Sequence, residues 1–412
     1  MQHRDEPSSR PPLRPLPGHA RAQSSARGKV KGAAAVHRWF LLAEAALERN
    51  VEPLNRLNVF PIPDSDTGEN MLATIRACRA SVEASSTEDL GELFAAAGSR
   101  AMSEAYGNSG TLLAVLISGL AEPLHGQQRL TISGFSRALE RAKVRSWSAL
   151  TDPVAGTMLS VLDAVHSEVH HRALRAEEPE SRAALEAAMP YVVSRAFLAV
   201  QATREQLPVL QRANVVDSGG AGLLVVLIAL HSTITGIAMD FAPLQSLPGW
   251  QQPPAGHHAA DQHAADQGPT DHRAADLQPG DQQPGGQQRT PETGSPAAEP
   301  VTETPAPDGS EVMCTVRLDP LGAASLRHQL DDLGDSVIVT PIDANPDEEG
   351  TYRWRIHVHT LEEPRTCTTV HAAGPVESYA ATALHHSPDN SPDRRPAAQA
   401  ETTHAPPARD QE

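Results

Sequence analysis

The sequence predicts an all-α main domain followed by a small α+β domain. Three observations lead to this prediction. Apolar residues recur at helical spacing from about residue 34 to residue 245, a second region at 311–366 contains strand-like alternation, and the remaining segments are rich in Pro, His, Ala and charged residues. Helices repeat every 3.6 residues and strands every two, so the two apolar regions differ in class.

These changes in composition divide the chain into five segments. They are a basic arm at 1–33, a helical domain at 34–245, a linker at 246–310, a small α+β domain at 311–366 and a tail at 367–412. The arm, the linker and the tail are expected to be disordered, because they hold too few large apolar side chains to offset the entropy of ordering them.

Composition also excludes some classes of function. The formal net charge is −17, which argues against a general nucleic-acid binder. Three cysteines do not make a disulfide framework, so a reducing cytoplasm is the simplest expectation. The longest apolar run, 223–230, is too short to span a membrane. The sequence therefore predicts a cytoplasmic protein without nucleic-acid partners or membrane insertion.

The periodic segments give the expected elements in order. A first amphipathic helix begins near Ala34, and about eight helices are expected in the main domain. The later helical patterns lie near 71–84, 88–105, 110–122, 133–146, 157–171, 181–205 and 219–237. In the small domain we expect a strand at 312–318, a helix at 321–333 and strands at 336–340 and 352–359.

An acidic loop precedes the second of these helical patterns, in the stretch Asn58-Val-Phe-Pro-Ile-Pro-Asp64-Ser-Asp66-Thr-Gly68. Two prolines fix the backbone before two carboxylates spaced i, i+2. Carboxylates near a helix N-terminus can hold Mg²⁺ while the backbone amides of the helix face phosphate. The alternative is an Asx-type turn that only caps an ordinary helix.

Three further helix starts carry small residues and hydroxyls. They are Gly107-Asn-Ser-Gly-Thr111, Gly156-Thr157 and Asp217-Ser-Gly-Gly220. Small residues at a helix N-terminus let backbone amides approach phosphate oxygens. One such segment alone is more often a cap or a close helix contact. Four of them in one helical domain, one bearing paired aspartates, predict a phosphate-binding site.

These motifs resemble a known family. The acidic loop, the Gly-Asn-Ser-Gly helix start, Asp152-Pro-Val-Ala-Gly-Thr157 and Val215-Val-Asp-Ser-Gly-Gly220 occur in the order found in the nucleotide-binding (DhaL or DAK2) domain of dihydroxyacetone kinases. The closest branch is the ATP-binding subunit of bacterial fatty acid kinase. The resemblance implies a barrel of eight antiparallel helices that binds ATP and Mg²⁺ at one end.

The resemblance also implies roles for individual residues. Asp64 and Asp66 would be the catalytic carboxylates that hold Mg²⁺, with Asn58 beside them as a further metal and nucleotide contact. The other implied nucleotide-binding residues are Thr67, Gly68, Asn70, Asn108, Ser109, Gly110, Thr157, Asp217, Gly219 and Gly220.

The small domain carries a second resemblance. Cys314 and the stretch Ile356-His357-Val-His359-Thr360 are similar to the middle domain of fatty acid kinase, in which a Cys and a His-x-His pair bind zinc. Alternate residues of a strand share a face, and thiolates and imidazoles are normal zinc ligands. The alternative is that the His pair lines a polar strand face while Cys314 lies in the core. A fourth ligand stays open, with Asp335 as one candidate.

Several positions depart from the family pattern. Ser65 replaces a glycine, Glu69 a small residue, Tyr106 an arginine and Ala155 a glutamate. Ser65 is tolerable only if this residue does not need a positive φ, and arginine is hard to replace in contacts with phosphate. The family's large C-terminal domain is also not recognised after the His-x-His stretch.

We therefore expect an ATP- and Mg²⁺-dependent kinase of the glycerone kinase and fatty acid kinase group. The acceptor would be a small hydroxyl or a fatty-acyl carboxylate presented by an acyl-carrying, DegV-like partner protein. The alternatives are a catalytically impaired, nucleotide-binding regulatory or scaffold paralogue, and a purely structural helical protein. The sequence leaves the oligomeric state open, a homodimer included.

Overall fold

The computed structural model describes residues 31–251, 309–343 and 345–384. The remaining parts of the predicted arm, linker and tail lie outside the described residues. The first described segment is helical, as predicted. Its α-helices are α1 (Ala33–Glu48), α2 (Val51–Leu57), α3 (Thr67–Glu83), α4 (Leu90–Glu104), α5 (Gly107–Gly119), α6 (Ala121–Leu124), α7 (Ile132–Ala149), α8 (Met158–Arg175), α9 (Arg182–Gln206), α10 (Pro208–Ala213) and α11 (Ser218–Thr235).

Eight long helices build the main region. Leaving out the short α2, α6 and α10, each long helix in the described segment packs against the next one, and α11 packs back against α1. The contacts therefore close into a ring of eight helices, as the resemblance implied. Its interior is apolar, with residues such as Phe40, Ile75, Leu113 and Val225 fully buried. Burial of this continuous apolar surface is the main force that holds the ring together.

The helix α11 is one of the eight ring helices and is apolar around its whole circumference. It is longer than the apolar run recognised in the sequence, and α9 and α11 are both long and apolar enough to cross a membrane. Within the protein, 89% of the apolar window of α11 is buried. A helix that is apolar on all sides is typical of a protein core, so α11 is the central packing element of the ring.

The packed region does not end at residue 245. A 3-10 helix (Ala242–Ser246) follows α11, and Leu247 and Trp250 are buried after it. The backbone N–H of Val216 donates to the carbonyl of Pro248, and Arg56 donates to the carbonyl of Trp250. The predicted linker boundary at 246 is therefore wrong. Two isolated apolar residues among Pro, Gly and Gln give no periodic signal.

The second region is a four-stranded antiparallel sheet with two helices. Its elements are β1 (Ser310–Leu318), α12 (Pro320–Asp331), β2 (Gly334–Pro341), β3 (Tyr352–Thr360), α13 (Glu363–Ala373) and β4 (Val376–Ala383). The strand order is β2-β3-β1-β4, and all neighbouring pairs are antiparallel. A βαββαβ chain in this strand order is a ferredoxin-like unit.

The small unit extends beyond its predicted end at residue 366. The helix α13 and the strand β4 lie in the segment that was expected to be a disordered tail. The strand β4 pairs with β1 from Val376 onwards, although most of its side chains are exposed. The predicted tail boundary is therefore wrong. The strand β4 is ordered by backbone pairing, which requires no periodic pattern of apolar residues in the sequence.

The sheet has two faces of different chemistry. One face, which includes Val312, Cys314 and Ile356, packs with α12 and α13 in an apolar core. The other face points to the helical region and is polar: Glu311 pairs with His359, Met313 with His357, and Thr315 with Arg355. Alternation along the strands therefore places a row of polar side chains at the junction of the two regions.

Direct contacts hold this junction together. Leu150 and Ile338 form a β-bridge, and the Thr151 N–H donates to the carbonyl of Val337 over 3.1 Å. Arg355 donates to the carbonyl of Ala105 over 2.8 Å. From α12, Arg327 donates to the carbonyls of Ser148 over 3.0 Å and Ala149 over 2.7 Å and to the hydroxyl of Thr151 over 3.2 Å.

Replacement of Arg327 by Ala should loosen the junction without unfolding the ring. Hydrogen bonds that involve a charged group contribute about 1.5–3 kcal/mol each, so amide exchange at Thr151 should become about tenfold faster or more. Hydrogen–deuterium exchange measures this directly. Arg365→Ala, which removes only an exposed i, i+3 pair with Glu362, is the control. Equal protection of Thr151 in both variants would contradict the assignment of Arg327 to the junction.

Candidate functional site

One cavity of about 470 Å³ lies at the end of the ring that the small sheet covers. Its size is within the range of small-molecule sites. From the helical region, its lining includes the predicted residues Asn58, Asp64, Asp66, Thr67, Asn108, Ser109, Thr157, Asp217 and Gly219. From the small unit, it includes Asp331, Gly334, Asp335, Ser336, Val337 and His359. The four predicted helix starts therefore converge on a single space.

At three of these four helix starts, the N-cap residue itself does not cap the helix. Asp66, Tyr106 and Thr157 occupy the N-cap positions of α3, α5 and α8, and none of them makes a side-chain cap hydrogen bond. The Thr157 hydroxyl donates to the carbonyl of Val154 instead. One first-turn amide of each helix is nevertheless bonded by another side chain. Gly68 donates to Oδ1 of Asn55 over 2.7 Å, and the backbones of Gly107 and Met158 hydrogen-bond Glu311 and Asp217. The other first-turn amides and the helix dipoles together favour an anion in the cavity.

The paired aspartates form the acidic part of the site. The side chains of Asp64 and Asp66 hydrogen-bond each other, and Asn58 donates to Asp64. Burial raises the pKa of Asp64. Burial, followed by the charge of Asp64, raises the pKa of Asp66 to about 7. Two carboxylates so close repel each other unless a proton or a cation lies between them, and their oxygen atoms fit Mg²⁺.

A third carboxylate, Glu311, reaches this pair from the small sheet. Burial, followed by the charge of Asp66, raises the pKa of Glu311 to about 7, while a hydrogen bond with the Gly107 backbone lowers it. The sequence analysis missed this residue. In the sequence, Glu311 is recognisable only as one of the alternate residues on one face of a strand. The sequence does not show that this face packs against the helical region.

Asp217 has a mainly structural position at the wall. Its carboxylate accepts hydrogen bonds from the backbone of Gly220, over 2.6 Å, and of Met158. It thus connects the starts of α11 and α8. Burial raises the pKa of Asp217 to about 7.

Four predicted contact residues lie behind the cavity wall rather than in it, namely Gly68, Asn70, Gly110 and Gly220. A Cβ at Gly68 would lie 2.6 Å from the carbonyl oxygen of Val51, and one at Gly110 would lie 2.9 Å from Oγ1 of Thr74. These glycines let neighbouring helices approach closely. Gly68 and Gly110 thus contribute close packing behind the site, Asn70 hydrogen-bonds Asp66, and direct nucleotide contact by these four residues stays a prediction.

The departures from the family pattern have visible consequences. Ser65 has a φ of 59°, the left-handed conformation that glycine adopts most easily. A residue with a Cβ adopts it at a cost of about 1–2 kcal/mol. Tyr106, which replaces an arginine, has a largely exposed side chain. Next to it, the carbonyl of Ala105 accepts a hydrogen bond from Arg355 of β3, so an arginine of the small sheet lies beside this helix start.

The predicted zinc ligands do not come together as a set. His357 and His359 are buried on the polar face of β3, whereas Cys314 pairs with Ile356 and lies in the apolar core on the opposite face. The prediction of Cys314 as a common ligand with the two histidines is therefore wrong. The strand register puts Glu311 beside them instead, and Asp335, the candidate fourth ligand, is 82% exposed.

Comparison with known proteins agrees with the motifs. The family model of the DAK2 domain matches residues 61–232. Residues 61–232 are similar to the DAK2 domain. This match covers the acidic loop from Pro61 onwards and all four helix starts.

Similar proteins share this DAK2 domain region. Protein YloV of Bacillus subtilis is 33% identical over 190 residues, which are 46% of this chain and 33% of that protein. An uncharacterized protein of Staphylococcus saprophyticus is 31% identical over 191 residues, again 46% of this chain and 33% of that protein. The chain thus spans about a third of the length of these relatives. The crystal structure of dihydroxyacetone kinase from C. freundii, in complex with AMP-PNP and Mg²⁺, is 20% identical with a TM-score of 0.37, and the similarity covers 57% of this chain and 37% of that chain.

The buried carboxyl of Asp217 predicts a pH-dependent stability. Its pKa is raised from 3.8 to about 7 on folding, so its contribution to stability is lost as pH rises through this interval. Asp217→Asn keeps the acceptor oxygen but cannot ionise. Its unfolding free energy relative to wild type should therefore increase from about pH 4 to about pH 7 and stay constant above that.

Urea unfolding of the full chain at several pH values measures this difference. Asp319→Asn is the matched control, because Asp319 caps Gly322 over 2.6 Å in the same way but is exposed. The pH-dependent gain should be much smaller in the control. A constant difference for Asp217→Asn across the whole range would contradict the buried, protonated carboxyl.

Proposed function

We propose that the protein is an ATP- and Mg²⁺-dependent phosphotransferase of the dihydroxyacetone kinase and fatty acid kinase group. The proposal rests on one observation above all: the paired carboxylates and the starts of α3, α5, α8 and α11 surround the same cavity within a DAK2 domain. A triphosphate with a bound cation has the charge distribution that this combination of amides and carboxylates complements.

The position of each residue in the cavity determines its proposed role. The first-turn amides at the starts of α3, α5 and α8 that no side chain engages receive phosphate oxygens, and the side chains of Asn108 and Ser109 add polar contacts in the cavity wall. Asp64 and Asp66 hold Mg²⁺, which neutralises phosphate charge when it is bound. Asn58 holds Asp64 in place through its amide hydrogen bond. Catalysis then consists mainly of positioning and charge stabilisation, as in other phosphoryl transfers.

The acceptor and the partner follow from the resemblance. We propose a small hydroxyl or a fatty-acyl carboxylate as the acceptor, presented by an acyl-carrying, DegV-like protein. Such an acceptor can be delivered by a second protein because Asp152 and Asp335, at the edge of the cavity, are exposed. A cytoplasmic location agrees with the use of ATP.

Calorimetric titration with Mg²⁺ and a non-hydrolysable ATP analogue tests nucleotide binding. Asp64→Asn and Asp66→Asn keep the side-chain shape but remove the charge. Each should weaken Mg²⁺-dependent binding by about 100-fold or more, because loss of even an outer-shell partner of a metal typically costs 10–100-fold. Asp152→Asn, at an exposed aspartate of the same cavity, should change binding less than threefold. Unchanged affinity in both Asp64→Asn and Asp66→Asn would refute the assignment.

The second candidate is a nucleotide-binding regulatory protein without turnover. The positive φ of Ser65 and the replacement of arginine by Tyr106 favour it, since both positions lie next to the phosphate-facing elements. Transfer of radioactive γ-phosphate to dihydroxyacetone, or to a fatty acid on a DegV-like protein, separates the two. The regulatory function would be supported if the wild type binds Mg-ATP but transfers no phosphate, and if Ser65→Gly does not restore the transfer.

A further inference from the structure

The turn that begins α5 has no cap from its own N-cap residue. Tyr106 occupies that position, makes no side-chain cap hydrogen bond and is 56% exposed. Gly107 follows it with a φ of 61°, a conformation that residues with a Cβ rarely adopt. The next two residues, Asn108 and Ser109, line the cavity. The backbone of this turn therefore sets the direction in which the first-turn amides of α5 point.

The small sheet holds this turn at both ends. Arg355 of β3 donates to the carbonyl of Ala105 over 2.8 Å, and the carboxylate of Glu311 on β1 accepts a hydrogen bond from the backbone of Gly107. The two contacts fall on the residue before Tyr106 and on the residue after it. Because both ends of this short segment are fixed, most of its backbone freedom is removed. Arg355 and Glu311 together form a clamp on the start of α5.

Arg355 is a costly residue to bury in this place. It is 5% exposed, its Nε has no hydrogen-bond partner, and it forms no ion pair with the residues that the structure describes. Its contact with Oγ1 of Thr315 is 3.5 Å long, and Glu311 acts on it through charge rather than through a direct bond. Buried charged residues can often be replaced by apolar ones without loss of stability. Stability alone therefore does not account for this arginine.

The composition of the cavity makes the direction of its backbone amides important. Aspartates line both its helical side and its sheet side, and no Lys or Arg is among its lining residues in the described part of the chain. Without such a side chain, phosphate oxygens depend on bound cations and on backbone amides at helix starts. Amides bind an anion only when they point towards it, so the residues that hold the start of α5 affect binding.

We propose that Glu311 and Arg355 are positioning residues, which hold the start of α5 so that the amides of Asn108 and Ser109 face the phosphate groups. The clamp itself is independent of any ligand, whereas its effect on binding rests on the proposed function. Both side chains come from the small sheet. The sheet therefore contributes to the phosphate site without contacting the phosphate.

Hydrogen–deuterium exchange of the full-length chain without nucleotide tests the clamp. Arg355→Met and Glu311→Ala should each make the amides of Gly110 and Thr111, the first that have helical partners in α5, exchange about tenfold faster or more, because each removes a hydrogen bond with a charged group. Arg353→Met is the matched control, since Arg353 lies two residues away on β3 and pairs only with Asp343, over 2.6 Å. Unchanged exchange in both clamp variants would refute the clamp.

Calorimetric titration of the same variants with Mg²⁺ and a non-hydrolysable ATP analogue tests the positioning role. Arg355→Met and Glu311→Ala should weaken binding by about tenfold or more. The melting temperature of Arg355→Met should change by less than about 3 °C, because loss of its hydrogen bond is offset by removal of a buried charge. Arg355→Gln, which is too short to reach Ala105, replaces Arg355→Met if that variant does not fold.

Conservative variants separate positioning from a direct role of charge. Glu311→Gln keeps the acceptor oxygen and Arg355→Lys keeps a charged donor, so each should bind the analogue within about threefold of wild type. Glu311→Gln as weak as Glu311→Ala, or faster exchange with unchanged affinity in both clamp variants, would overturn the positioning role. If the wild type binds no analogue, the proposed function fails, and the exchange comparison still decides whether the clamp holds α5.

Discussion

The contact of the polar face of the small sheet with the acidic loop and the start of α5 organises this protein. An antiparallel sheet in a small α+β unit usually leaves one face to solvent. Here that face carries Glu311, His357 and His359 and is buried against the acidic loop of the ring. Burial of ionisable groups is costly unless partners or ions compensate for the lost water. The junction therefore has the electrostatic properties of a site rather than of a packing surface.

Charge balance at this junction explains much of the local chemistry. Three carboxylates, Asp64, Asp66 and Glu311, have raised pKa values because they are buried and lie close to one another. The dipoles of the surrounding helices are positive at their N-termini and offset part of this negative charge. Under the proposed function, a bound cation and the phosphate groups of the nucleotide would complete the balance, since each lowers the cost of the other. A cavity with both kinds of group is suited to a metal-bound polyphosphate.

The division between ring and sheet also separates stability from chemistry. The continuous apolar interior of the ring, to which α11 contributes, stabilises the helical region. The small unit has a much smaller apolar core and depends on Arg327 and Arg355 for its position.

The sequence alone determined the class of both regions and most of the cavity wall. Helical periodicity located the long helices, and breaker residues followed by small polar ones located the four helix starts, because these signals are local in the chain. The resemblance to the nucleotide-binding domain of dihydroxyacetone kinases, which these motifs carry, implied that Asp64, Asp66, Asn108 and Thr157 belong to one site. Helical and strand periodicity did not predict the order at 246–250 or at α13 and β4. There, isolated contacts and backbone pairing produce order without a periodic pattern of apolar residues.

Only the tertiary structure decided which residues meet across the junction. A His-x-His stretch shows that two side chains share a strand face, but it does not show which residues of the next strand lie beside them. Those neighbours depend on the register of the strand pair. A shift of one residue would move Cys314 from one face of the sheet to the other. Register and docking are set by long-range packing, which leaves no local pattern. For this reason the sequence suggested a thiolate at the histidine pair, whereas the folded chain brings Glu311 there and places it beside the carboxylates of the acidic loop.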